Sequence, residues 1–201
     1  SAELDNFVAL FYLGNIYSNG LIVDIDIEKA INCFEKCINI NHIQIHNHSF
    51  SKCISIKFDF NFLKYRSLND LGLIYLFYKN DIDAVLDYIK KAGINEYPYG
   101  QNNYGLILQF YLNKIEKAKH FYERSSGNKF SLAFYNLGYL TEKNGDFIEA
   151  LNYYIKASHY ENEPLIFQNH CHHDQNLFIS KTFIICFTNL KLARYYFSKS
   201  N

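Results

Sequence analysis

A glycine that returns at a fixed spacing is the feature of this sequence that most restricts its fold. Gly72, Gly105 and Gly138 follow one another at intervals of 33 residues, and each stands within apolar residues at helical spacing. Gly14 has similar surroundings earlier in the chain. A period in the thirties that carries two amphipathic helices per unit is typical of solenoids built from helix hairpins. We therefore expect an all-α solenoid of tandem antiparallel helix hairpins, about four to five pairs.

Each glycine is followed, 12 to 16 residues later, by an alanine that opens an apolar stripe. These alanines are Ala30, Ala84, Ala118 and Ala150. Glycine inside a helix costs about 0.5–1 kcal/mol relative to alanine, so its return in four helices indicates that close packing offsets the cost. We expect the two helices of each hairpin to approach closely where the glycine and the alanine meet.

The first and fourth units resemble known repeats. Residues Ala9 to Lys36 carry the pattern A-x3-L-G-x2-Y-x2-G followed by K-A-x3-F-x-K, which resembles a Sel-one-like repeat, a relative of the tetratricopeptide repeat. Residues Asn136 to Ala157 carry N-L-G and then N-G-D-F-x2-A-x3-Y-x2-A, which is similar to an ordinary tetratricopeptide repeat. The resemblance implies a right-handed superhelix in which the first helix of each hairpin lines a concave face.

The repeats organise the chain as a single repeat domain over residues 1–201. We expect units at about 5–40, 65–97, 98–128 and 129–160, an atypical C-terminal cap at 175–199, and insertions at 41–64 and 159–174. Alternating residues in the insertion 41–64 fit a small β-hairpin, and an extra helix fits it equally well. The chain contains no methionine, which favours an excised part of a longer protein.

Composition narrows the possible partners and compartments. The 20 basic and 20 acidic side chains balance, so no net charge draws nucleic acid or an anionic membrane, and we expect little effect of salt on binding. The longest apolar runs are far shorter than the roughly 20 residues that span a bilayer. Five cysteines without framework spacing favour a reducing, cytoplasmic location.

Metal binding or catalysis is the main alternative to a scaffold, together with self-association. Imidazole and thiolate are zinc ligands. Two clusters in the insertions supply them: His42, His46 and His48, and then His170, Cys171, His172 and His173. Neither cluster has the spacing of a zinc finger, and the sequence carries no familiar catalytic motif. Solvated loop histidines are therefore favoured, and we expect no enzyme activity and no cofactor. Cys33 and Cys37 lie on an apolar stripe, which favours buried thiols that fill a helix interface.

A protein or peptide partner is the function that the resemblance implies, bound on the concave face. Seven residues of the first helices are expected to line that face: Asn69, Phe77, Asn102, Asn103, Tyr135, Asn136 and Tyr139. Asn103 and Asn136 match positions at which some tetratricopeptide domains hold the backbone of a ligand peptide. An amide suits that role because it both donates and accepts hydrogen bonds.

Overall fold

The computed structural model describes residues 2–20, 22–40 and 60–160. Within those ranges the regular structure is helical, and the predicted all-α class is confirmed. The elements are α1 (Ala2–Asn19), α2 (Ile27–Asn39), α3 (Phe60–Ile74) with a π-helical continuation (Tyr75–Lys79), α4 (Ile82–Ile94), α5 (Pro98–Phe110), α6 (Ile115–Gly127), α7 (Ser131–Lys143) and α8 (Phe147–His159).

Consecutive helices pair as hairpins, α1 with α2, α3 with α4, α5 with α6 and α7 with α8, which is the arrangement of a helical-repeat solenoid. The described residues fall into two compact units divided after Gly100. Unit 1 contains α1 to α4, and unit 2 runs from Gln101 in α5 through α8. Helix α3 begins at Phe60, inside the segment predicted as an insertion, so residues 60–64 are helical.

Several predictions of organisation lie beyond these ranges. The capping pair at 175–199 and the remainder of the two insertions, 41–59 and 161–174, fall outside the described residues. The single-domain division and the handedness of the superhelix stay predictions.

The second helices start at aspartate caps. The side chains of Asp26, Asp81 and Asp146 each accept a hydrogen bond, 3.0 Å long, from the backbone N–H three residues later. An N-cap carboxylate of this kind satisfies a free N–H group and opposes the helix dipole. In the third hairpin Lys114 holds the cap position and its side chain makes no such bond. The turn therefore sets the register of the second helix.

A small buried residue follows each cap position by four. These residues are Ala30, Val85, Ala118 and Ala150, and each is at most 2% exposed. The predicted Ala84 is only half-buried, so that assignment was wrong by one position. The physical reason is the cap: Val85 N–H bonds to Asp81 O, as Ala30 N–H bonds to Asp26 O, and this fixes which residue faces inward.

A large side chain eight residues after each cap position fills the space that a glycine leaves. The pairs are Gly14 with Phe34, Gly72 with Ile89, Gly105 with Tyr122, and Gly138 with Tyr154. A Cβ on Gly105 would lie 2.5 Å from the Tyr122 ring, and one on Gly138 would lie 2.8 Å from the Tyr154 ring. Such distances are too short for carbon atoms, so glycine is required. The expected close approach is confirmed, with the large side chain as the glycine's main neighbour.

Gly105→Ala is expected to lower the free energy of unfolding by about 1–3 kcal/mol, because the added methyl overlaps the Tyr122 ring. Gly127, near the end of α6, is the matched control, since nothing lies within 4 Å of the position of its Cβ. Gly127→Ala should leave stability unchanged or raise it by up to about 1 kcal/mol. Urea unfolding of both variants measures the difference, and equal stabilities would contradict the packing.

Candidate functional site

Most of the residues predicted to line an open concave face are buried. Asn69, Asn102, Asn103, Tyr135 and Asn136 are all at most 9% exposed. Phe77 and Tyr139 are half-buried. The expectation that this face is open was therefore wrong for five of the seven residues, and their contact with a partner stays a prediction.

Three of the four first helices, α3, α5 and α7, are buried around their circumference at their centres. Residues 67–74 of α3, 101–103 and 105–109 of α5, and 131–138 of α7 are buried without a break. A helix packed against one neighbour buries only a stripe of its surface. In unit 1, α3 packs against α4, α2 and α1, and in unit 2, α7 packs against α8 and α6. Several neighbours thus cover the polar positions that the sequence pattern assigned to solvent.

The buried amides of unit 2 bond to one another. Asn136 Nδ2 donates to Asn102 Oδ1 over 2.8 Å, and these residues occupy neighbouring first helices, 34 positions apart. Asn102 Nδ2 makes a longer contact of 3.5 Å with Asn103 Oδ1. A buried hydrogen bond between two helices fixes their relative position. Asn102 and Asn136 therefore hold α5 beside α7.

Two tyrosines close the hairpins of unit 2 through their hydroxyls. Tyr122 Oη donates to Gln109 Oε1 and Tyr154 Oη donates to Glu142 Oε2, each over 2.7 Å. Burial raises the pKa of both phenols, and the Glu142 carboxylate raises that of Tyr154 further. Both phenols therefore stay protonated and act as donors at neutral pH. The same rings occupy the space beside Gly105 and Gly138, so each tyrosine both packs and bonds.

The two cysteines on α2 pack in the core. Cys37 is fully buried, accepts a contact from Ser67 Oγ at 3.3 Å, and has its pKa raised to about 11 by burial. Burial also raises the pKa of Cys33. Thiols in this state are not nucleophilic at neutral pH, since the thiolate is the reactive form. The predicted packing role of both cysteines is confirmed.

Asp70 is a carboxylic acid within the core of unit 1, at 6% exposure. Burial raises its pKa to about 6, while the charge of Arg66 and a hydrogen bond from Asn69 Nδ2, 3.3 Å long, act in the opposite direction. The Arg66 guanidinium lies over the Phe11 ring at 5.1 Å. The core of unit 1 therefore contains an acid that titrates near neutral pH.

The accessible apolar surface lies at the hairpin turns. Twelve large apolar side chains among the described residues are exposed, and nine of them stand in or beside a turn within a hairpin. We call these nine residues the turn edges. The turn edge of unit 1 is Ile22, Val23, Ile25 and Tyr78, and that of unit 2 is Phe110, Tyr111, Ile115, Phe147 and Ile148. In the sequence these residues look like the apolar positions of ordinary amphipathic helices. Only the exact positions of the turns show that they are exposed.

The two turns of unit 2 lie at the same end of that unit. Asn102 and Asn136 place α5 and α7 side by side, and both helices run toward the turn of their own hairpin. Phe110 and Phe147, 52% and 63% exposed, stand beside these two turns. Contiguous exposed apolar patches mark interaction surfaces more often than singly scattered side chains do.

Both histidine clusters, His42, His46 and His48, and His170, Cys171, His172 and His173, lie outside the described residues. Across the ranges that are described, no group of three or more histidine, cysteine or acidic residues is placed to hold a metal ion. Nor does any helix in those ranges have the length and apolar character needed to cross a membrane.

Comparison with known families identifies the repeats. The Sel1 repeat matches residues 8–39, and the tetratricopeptide repeat matches residues 132–159. Residues 8–39 are thus similar to a Sel1 repeat, and residues 132–159 are similar to a tetratricopeptide repeat. The resemblance predicted from the sequence is confirmed at both ends of the described repeats. The Sel1 match spans the first hairpin, α1 and α2, and the tetratricopeptide match spans α7 and α8.

Solved structures share the fold. A Sel1 repeat protein from Oxalobacter formigenes is 18% identical, with a TM-score of 0.57, and the alignment covers 80% of this chain and 61% of that protein. The immunity protein Pa5087 from Pseudomonas aeruginosa is 20% identical, with a TM-score of 0.50, over 76% of this chain and 52% of that protein. The chain thus spans less than two thirds of either protein. No curated protein matches it in sequence.

The pKa of Asp70 gives a test of the core. At pH below about 4 this acid is protonated in both the folded and the unfolded chain, and as pH rises through about 6 the folded chain must ionise a buried group. The free energy of unfolding should therefore fall with rising pH over that window. Asp70→Asn lacks this loss and should be more stable at pH 7 by about 1–3 kcal/mol, since one pKa unit corresponds to 1.36 kcal/mol.

Urea unfolding between pH 4 and 7.5 measures the free energy of unfolding of the parent and of Asp70→Asn, and the difference between them is the effect of Asp70 ionisation. Asp87→Asn, at an exposed position paired with Lys91, is the control and should show little pH dependence relative to the parent. A difference between Asp70→Asn and the parent that stays constant across this range would contradict the burial of an ionisable acid.

Proposed function

We propose that this chain is a non-catalytic scaffold that binds a protein or peptide through its turn edges. The observation that carries the proposal is the placement of nine of the twelve exposed large apolar side chains at hairpin turns. Sel1 and tetratricopeptide repeats generally serve as platforms for protein partners, which supports the same function. The first helices then serve as a frame, because their polar residues bond within the core.

Burial distinguishes the turn edges from the concave face as a binding surface. Asn102 and Asn136 each use their amide in the bond that joins α5 to α7. A partner that bound there would have to break this bond and open a buried surface. Phe147 and Ile148, 63% and 61% exposed, can be covered by a partner with no rearrangement. Covering such side chains is favourable at about 25 cal/mol for each Å² removed from water.

In this proposal, most of the residues predicted from the sequence to bind a partner stabilise the fold. Tyr135 and Tyr154 rings lie 5.6 Å apart, and Tyr154 fills the space beside Gly138. Replacing Tyr135 or Asn136 would therefore act through the stability of unit 2 as well as through any contact. Phe77 and Tyr139, which are half-buried, remain available to a partner that extends from the turn edge onto the first helices.

A reducing, cytoplasmic location fits the scaffold. The two cysteines in the described ranges are free thiols, and both are buried in the α2 interface. Disulfides are rare in proteins of reducing compartments, where thiols such as these persist.

The proposal is tested by a photo-reactive phenylalanine analogue, p-benzoylphenylalanine, at position 147. In a lysate of the native organism, light should join this variant to one or a few discrete proteins, which mass spectrometry identifies. The same analogue at position 12, which is 55% exposed on α1 and away from the turns, is the matched control. Phe147→Ser with Ile148→Ser should remove binding of the identified protein and change stability by less than about 0.5 kcal/mol.

Two results would contradict a partner at the turn edge. Equal cross-linking from positions 147 and 12 would mean that the turn edge has no preference for a partner. Full binding by the doubly substituted variant would place the site elsewhere. Cross-links to a second copy of this chain would favour self-association in place of a separate partner.

A further inference from the structure

The turn of the first hairpin presents branched apolar side chains to solvent. Ile22 is 79% exposed, and Val23 and Ile25 are each 44% exposed. The turn is held by a hydrogen bond from Asp26 N–H to Tyr17 O, 2.9 Å long, and by Gly20 in a left-handed conformation at φ 63°.

The turn of the second hairpin lies at the same end of unit 1. An ion pair between Lys79 Nζ and Glu28 Oε1 joins the end of the π-helical segment to the first turn of α2. Tyr78, 40% exposed, is the residue next to Lys79. Exposed apolar side chains of both hairpins therefore stand at this end of unit 1.

Acidic side chains outnumber basic ones in the turn segments of unit 1, although the whole chain is neutral. Residues 22–29 and 78–84 contain five acidic side chains against two lysines. Both lysines are paired, Lys29 with Asp26 and Lys79 with Glu28. The remaining acids are the capping Asp81 and the exposed Asp24 and Asp83, and neither Asp24 nor Asp83 forms an ion pair with another described residue. Two carboxylates are left for a cationic partner.

We propose that the turn edge of unit 1 docks a basic, apolar peptide segment in which lysine or arginine alternates with large aliphatic or aromatic residues. Asp24 stands between Val23 and Ile25, so charge and apolar contact alternate along the turn itself. The apolar side chains supply burial, and the carboxylates select a cationic partner and disfavour an acidic one by repulsion. This inference rests on the proposed function of the turn edges and names the class of partner for one of them.

The test uses two synthetic peptides of equal length, one of alternating leucine and lysine and one of alternating leucine and glutamate. Fluorescence anisotropy measures the affinity of the full chain for each at 20 mM and 150 mM salt. The basic peptide should bind at least about tenfold more tightly than the acidic one at low salt, and this difference should shrink as salt rises.

Two variants locate the binding. Asp24→Asn with Asp83→Asn should weaken binding of the basic peptide by about tenfold, the combined effect of two favourable surface charges. Glu116→Gln with Glu123→Gln, which removes two exposed acids of unit 2, is the matched control and should bind as the parent does. Ile22→Ser with Val23→Ser should also weaken binding, since it removes the apolar contact.

Three other outcomes would overturn this inference, and none of them decides whether the chain is a scaffold. Equal binding of both peptides, lost in Ile22→Ser with Val23→Ser, would show an apolar docking surface without charge selection. Binding of neither peptide, or equal weakening by the two charge variants, would rule out selective docking at this edge. Cross-linking from position 147 in unit 2 still decides the scaffold function in every case.

Discussion

The contact between a glycine of one helix and a large side chain of the next is the interaction on which each hairpin depends. Without a Cβ, Gly105 and Gly138 admit the rings of Tyr122 and Tyr154 to within ordinary contact distance. The two backbones therefore approach closely enough for the tyrosine hydroxyls to reach Gln109 and Glu142. One absent side chain thus permits both the packing and the hydrogen bonds that close the hairpin.

Close approach determines which surface remains for binding. As second helices and adjacent hairpins close on α3 and α7, the centres of these first helices lose their access to solvent, and their polar side chains must bond within the protein. Asn102 and Asn136 do so with each other. Large apolar residues at the hairpin turns, such as Phe147, stay exposed to solvent. Packing within the repeat therefore explains why the turns carry the accessible apolar surface.

The helical-repeat fold could be predicted because its signals are local. Spacing of Gly72, Gly105 and Gly138 reveals the period, and aspartates such as Asp26 mark the starts of second helices. The exposure of the first helices could not be predicted in the same way, since it depends on how many neighbours surround each helix. Asn103 and Asn136 read equally well as a polar groove or as a buried network, and only tertiary packing separates the two. The misassignment at Ala84 has a local cause, because the helix that starts at the Asp81 cap places Val85 at the buried position.

The charge of unit 1 is distributed unevenly although the totals of acidic and basic residues in the chain balance. Asp24 and Asp83 are exposed and form no ion pair with another described residue, whereas Lys29 and Lys79 are both paired. Charge acts over about 8 Å at physiological salt, so its distribution over a surface matters more than its sum.

Hydroxyl-radical footprinting read by mass spectrometry tests most directly the claim that the first helices form a buried frame and the turns form the accessible surface. On the first helices Ile107, Phe134 and Tyr135 are 1%, 9% and 8% exposed, whereas Phe110, Tyr111 and Phe147 are 52%, 47% and 63% exposed. In the native chain the first three side chains should be protected and the last three oxidised rapidly, and unfolding in urea should abolish the difference. Oxidation of Tyr135 at a rate equal to that of Phe147 would show that the first-helix face is open, and would contradict the account.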